Sequence, residues 1–148
     1  MKKLMLVALA LSLGLVVMAC QKKAVVDTGT DMSTQLRYEF EHNNVLFDFD
    51  RFNIRSDQVS VINAKAAYLK QFPTVRAVIQ GHCDERGTLA YNRALADRRA
   101  QTAYNYLVDQ GISSSRLSTI SYGEEDPIDP GHNEAAWAKN RRAQFVQQ

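Results

Sequence analysis

The chain has 148 residues, 45% of them hydrophobic and 23% charged, a size and balance that suit one domain with a single core. Its formal net charge of +2 comes from Lys2 and Lys3; beyond residue 20 the 16 acidic side chains meet an equal number of basic ones. A neutral working chain offers no basic patch to phosphates, so composition gives no case for a nucleic-acid partner.

Met1, Lys2 and Lys3 form a short basic start, residues 4–18 are apolar apart from Ser12 and Gly14, and Ala19 and Cys20 close the run. This is the layout of a secretory signal peptide, too short for a comfortable bilayer span of about 20 apolar residues. Residues 17–20 (VMAC) resemble a lipobox, the cleavage signal of bacterial lipoproteins, with Met18 where Ser, Thr or Ala is more usual. The resemblance implies that Cys20 is acylated and becomes the first mature residue, and several acyl chains together give stable anchoring. Gln21, which is not Asp, implies sorting to the outer membrane. With Cys20 taken by lipid, Cys83 is expected to be a lone thiol instead of half a disulfide.

Residues 21–36 are polar and without sustained period, and are expected to be a flexible tether. The domain is expected over 37–148. Residues 44–50 (NVLFDFD) alternate after Val45, placing Val45, Phe47 and Phe49 on one face of a half-buried strand. Ser56 is a suitable N-cap, and Val59, Ile62, Ala66 and Leu69 recur at helical spacing until Pro73 stops the helix. Residues 74–80 read as a short apolar strand, 88–110 as a long helix ended by Gly111, and 117–122 as a third strand. A loop with Pro127 and Pro130 follows, then a short helix over 133–140 and an edge-like strand over 142–146. The order β-α-β-α-β-α-β specifies an α/β (α+β) sandwich, with helices over one or both faces of a small sheet.

The chemically dense stretch is 81–87 (GHCDERG), at the end of the 74–80 strand. A nucleophile–base pair of His82 and Cys83 is disfavoured because successive strand residues point to opposite faces. Metal binding by His82, Cys83, Asp84 and His132 lacks any CxxC, HxH or HExxH spacing. Asp84 and Glu85 as a glycosidase pair fail because neighbours diverge, and Arg86 would lower their pKa values instead of raising one. No cofactor, metal or catalytic residue is therefore expected. Arg93 and Arg98 read as a solvated helix face, whereas Arg99 sits beside the apolar stripe and can reach toward the strand end that bears Asp84.

FDFD (47–50), GHCDERG (81–87), YNRALADRRA (91–100), SYGEEDP (121–127) and KNRRA (139–143) occur in an order and spacing that resemble the OmpA C-terminal-like domain family. With the lipobox, the match resembles the peptidoglycan-associated lipoproteins of Gram-negative bacteria. The main departure is Cys83, where the family usually has Thr. The resemblance implies a non-enzymatic outer-membrane lipoprotein that binds the diaminopimelate residue of peptidoglycan and faces the periplasm. It also implies a TolB-like periplasmic partner, the Tol inner-membrane components and a role in cell division.

Carried over by position, Asp84 would face the ligand's ammonium and Arg99 its carboxylate, often through a bidentate contact. Phe49, Asp50 and Ile54 would form the opposite wall, Arg86 and Leu95 would close the pocket, and Asn92 would order its loop. Asn140 and Arg142 would support the site or form a structural corner. Alanine at position 84 or 99 is expected to release the protein from the wall without unfolding it. The rival readings are an OmpA-like scaffold of another envelope machine and an anchored wall hydrolase.

Overall fold

The computed structural model describes residues 28–148. The expected signal peptide, the acylated Cys20 and the first part of the tether lie outside the described residues. The elements run α1 (Thr28–His42), β1 (Val45–Leu46), α2 (Val59–Gln71), β2 (Ala77–His82), α3 (Leu89–Asp109), β3 (Leu117–Gly123), α4 (Glu134–Asn140) and β4 (Arg142–Gln147). The sheet order is β1-β4-β2-β3, with β2 and β3 parallel across the α3 crossover and β4 antiparallel to both its neighbours.

One face of the sheet is closed and the other is half open. Ala77, Ile79, Ala143 and Phe145 point into the helices and are buried, while Val78, Gln80, Gln144 and Val146 between them are partly exposed. Ile79 pairs with Phe145 in register, and Ile62, Leu69 and Leu107 from α2 and α3 complete that core. Each such side chain contributes roughly 1.5–3 kcal/mol on removal from water.

Several boundaries differ from the sequence reading. β1 is only two residues long, because the alternation that buries Val45 and Phe47 ends in a turn where Arg51 N–H donates to Asp48 O at 3.2 Å. Asp50 in that turn has φ of 54°, a left-handed conformation that a short polar side chain tolerates best. Phe49 is consequently exposed instead of sharing the face of Phe47. Ser56 lies in a 3-10 turn (Ser56–Gln58) and caps nothing with its side chain. β4 is not an edge strand: β1 pairs outside it, so its polar residues mark the half-open face.

The largest difference is α1, which begins within the stretch expected to be tether. Leu36 and Phe40, one helical turn apart, face the core, and Phe40 stacks on Tyr68 with ring centroids 4.5 Å apart. The C-terminus of α1 is held by Lys65 of α2, whose buried Nζ donates to Glu39 O at 3.0 Å and to Phe40 O. Phe40 O is one of the carbonyls a helix end leaves without an intrahelical donor, while Glu39 O also accepts from Asn43 N–H at 3.1 Å.

Burial pulls the Lys65 ammonium from 10.5 down to about 7, with Glu39 and Glu41 opposing. The folded value is depressed, so the unfolded chain holds more protons between those limits and stability rises with pH from about 7 to about 10.5. Urea melts at pH 7 and pH 9 are expected to show a higher midpoint at pH 9, and Lys65→Met should remove the difference. An equal rise in the variant would assign it to another group.

Candidate functional site

The site forms where β2 ends. Its pairing with β3 shifts register between Gly81 and His82, and Cys83 N–H donates to Gly123 O at 2.6 Å. Such a bulge redirects the side chains that follow it. His82 turns back under the sheet and stacks on Tyr122, with centroids 5.2 Å apart and planes 6° from parallel. Cys83 turns toward α3, donating from Sγ to Asn92 O at 3.3 Å and accepting from Arg99 at 3.3 Å.

Asp84, Arg99, Phe49, Asp50, Arg86, Leu95 and Asn92 converge on one cavity of about 230 Å³, with Cys83, Gly87, Tyr91 and Arg141 completing its wall. Ile54 does not line it; its partly buried side chain packs against the main core. Asn140 and Arg142 stand outside it as well. Asn140 accepts from the N–H groups of Ile128 and Asp129 and donates to Asp129 O, which makes it the corner of that loop.

Asp84 is buried and its carboxylate is saturated. Oδ1 accepts from Arg86 N–H at 3.1 Å and Arg86 Nε at 3.2 Å; Oδ2 accepts from Arg86 Nη2 at 2.7 Å and Arg141 Nη1 at 3.1 Å. Two carboxylate oxygens provide about four acceptor positions, and all are taken. Burial would raise this acid, but the hydrogen bonds from Arg86 and Arg141 outweigh it and hold Asp84 below its ordinary value.

Arg99, also buried, projects from α3 into a ring of main-chain carbonyls. Nε donates to Arg51 O at 2.9 Å, Nη1 to His82 O at 2.8 Å and Cys83 Sγ at 3.3 Å, and Nη2 to Asp48 O at 3.1 Å. Four of its roughly five N–H donors are spent, so the expected bidentate grip on a ligand is reduced to one free N–H. Among the described residues no carboxylate pairs with Arg99, and burial draws it below the ordinary arginine value. The site holds a guanidinium with a positive charge and no direct counter-ion.

Asn92 orders the loop between β2 and α3. Its Nδ2 donates to Asp84 O and Arg86 O, each at 3.2 Å, and to the Glu124 carboxylate. Gly87, at φ of 124°, lets the loop turn against that amide. Thr88 caps α3 by accepting from Tyr91 N–H at 3.2 Å, so the helix terminus is engaged by its own chain. Tyr91 donates its hydroxyl to Asp50 and links the two walls of the cavity.

Arg141 and Tyr91 are the site residues that sequence reasoning missed. Arg141 is the first arginine of KNRRA; its Nε donates to Phe47 O at 3.1 Å and its Nη2 to Glu134 at 2.6 Å. Arg141 is the C-cap of α4, one residue before β4 begins, and where that helix ends fixes which arginine of the doublet turns to the cavity. Neither His82 nor His132 pairs with Cys83 as a base. Burial pushes the Cys83 thiol up to about 11, and His132, the distant candidate base, is bound to Glu85 at 2.7 Å. His82 is pushed down to about 4 by burial and by Arg142, and its ring contacts Tyr122, not Cys83.

A mixed four-stranded sheet under helices, with a charged cavity at the C-terminal end of a central strand, defines an α/β domain of the OmpA-like kind. Residues 46–141 match the OmpA family, and the chain belongs to it. It is 47% identical over 102 residues to the peptidoglycan-associated lipoprotein of Pasteurella multocida, spanning 69% of this chain and 68% of that one. The protein of the same name from Haemophilus influenzae is 46% identical over 102 residues, 69% of this chain and 67% of that one. Among solved structures, the peptidoglycan-associated lipoprotein of Burkholderia pseudomallei superposes with a TM-score of 0.68 at 40% identity, covering 71% of this chain and 89% of that one. The C-terminal domain of Helicobacter pylori MotB shares the fold, with a TM-score of 0.66 at 24% identity over 71% of this chain and 83% of that one.

Proposed function

We propose that this is a non-enzymatic outer-membrane lipoprotein whose periplasmic domain grips diaminopimelate-type peptidoglycan without a covalent bond, tethering membrane to wall. The observation that carries the reading is the pairing, in one cavity, of a buried anion with a buried guanidinium that lacks a counter-ion, Asp84 and Arg99. A zwitterion answers both: its carboxylate supplies the counter-ion Arg99 lacks, and its ammonium meets Asp84 by replacing one of the donors that the Asp84 carboxylate already holds. The relatives' name, peptidoglycan-associated lipoprotein, agrees with that chemistry. The Tol partners, the outer-membrane address and the role in division rest on the family resemblance, and the lipid anchor on residues 17–20.

The test is a pull-down on two wall types. Lysine-type peptidoglycan keeps the ammonium but lacks the second carboxylate, and leaving Arg99 unanswered should weaken binding by about 2–5 kcal/mol. Equal retention on both walls would sink the Asp84 and Arg99 assignment. Asp84→Ala should bind neither wall.

A further inference from the structure

The arrangement around Asp84 raises a question that wall binding alone does not answer. Its acceptor positions are full, three of them with bonds from Arg86, so an ammonium can reach Asp84 only if a donor leaves. Arg141 cannot leave easily: it is buried and also ties Phe47 O to Glu134. The Arg86 side chain can. It is 31% exposed, rises from the loop after β2, and lines the cavity.

What holds Arg86 there is a set of contacts suited to an organic cation. Its guanidinium carbon lies 4.0 Å from the centre of the Phe49 ring and 4.2 Å from that of Trp137, with Glu134 at 3.6 Å. Two aromatic faces and a nearby carboxylate suit an organic cation. Arg86 is the cation that fills them.

We propose that Arg86 is an internal occupant of the ammonium seat and that the ligand binds by exchanging partners with it. This rests on the peptidoglycan reading above and names how that site selects its ligand. The incoming ammonium takes Asp84, and the released fork of Arg86 takes the ligand's carboxylate, beside the single free N–H of Arg99. A zwitterionic diamino acid therefore ends with every charge paired. A ligand with an ammonium alone displaces Arg86 from Asp84 and returns nothing to it. Selectivity comes from this competition as well as from Arg99.

Trp137 is the protein's one tryptophan, so its emission reports whether Arg86 is seated against it. The experiment uses the full lipoprotein in detergent micelles, titrated with a soluble stem peptide carrying diaminopimelate and with its lysine counterpart. Affinities are read by calorimetry and Trp137 by fluorescence. In the wild type the diaminopimelate peptide should change the emission at saturation. Arg86→Met should bind the lysine peptide about tenfold more tightly than the wild type does, because the internal competitor is gone. The diaminopimelate peptide should then lose most of its advantage.

Two results would overturn the exchange while leaving wall binding standing. One is an equal loss of both peptides in Arg86→Met at an unchanged thermal midpoint, which would make Arg86 an ordinary contact. The other is a saturated wild type with unaltered Trp137 emission. A different result, failure of the wild type to bind the diaminopimelate peptide, would defeat the peptidoglycan reading itself and the exchange with it.

Discussion

Arg99→Ala is expected to lose wall binding and to unfold at a markedly lower urea concentration than the wild type. The sequence alone predicts release without unfolding for this variant. The contacts change it. The guanidinium satisfies three main-chain carbonyls, Asp48 O and Arg51 O in the turn after β1 and His82 O at the end of β2. Asp48 O keeps the Arg51 N–H and the turn is exposed to water, but His82 O is buried, and leaving one buried acceptor unsatisfied costs about 1–3 kcal/mol. That is a large fraction of the roughly 5–15 kcal/mol that stabilises a typical domain. Arg99→Lys keeps the charge but cannot fork to three carbonyls, and should recover stability only partly. A wild-type midpoint in Arg99→Ala would mean that the turn holds itself.

This dual use of Arg99 explains which parts of the site were legible in the sequence. Asp84 and Arg99 stood out because an acid at a strand end and a base beside an apolar helical stripe are visible as pattern, and the OmpA-like motifs name the same positions. Arg86 was visible as a residue but not as an occupant of the seat, because that depends on a rotamer and on two aromatic rings from distant segments, Phe49 and Trp137. Arg141 was hidden by the doublet it shares with Arg142. One of them reaches Asp84 and the other Asp126 O, and only the end of α4 decides which.

The fold shows the same division. Periodicity located α2, α3 and every strand to within a few residues, because each has a buried face with its own repeat. It could not order the strands: β4 looks like an edge by its polar residues yet lies between β1 and β2. Nor did it reveal α1, whose composition is polar and whose place depends on two core contacts, Leu36 and Phe40, and on Lys65 from another helix. Local pattern specifies elements; long-range partners specify where a polar element docks.

Gly81→Ala is expected to be the most damaging small substitution in the domain. Gly81 lies in β2 directly beneath α3, and a Cβ there would stand 1.9 Å from Ala96 O and 2.6 Å from Ala96 C. Both are main-chain atoms, so no side chain can swing away; the helix must lift or the strand must shift. The penalty should exceed the roughly 1–3 kcal/mol of ordinary overpacking. Function should fall with it, because the Gly81–Ala96 contact sets the height of α3 over β2 and thereby the placement of Arg99 relative to Asp84. Gly111→Ala provides the contrast. That glycine has φ of 90° and nothing within 4 Å of its would-be Cβ, so only torsional strain of about 1–2 kcal/mol applies, far from the cavity. Thermal melts and wall pull-downs on both variants separate the two effects. Gly111→Ala should melt somewhat lower yet bind, whereas Gly81→Ala should lose the cooperative melt or, if any folded protein accumulates, fail to bind. A Gly81→Ala protein that melts like the wild type and keeps its grip on the wall would show that α3 can rise without disturbing the site.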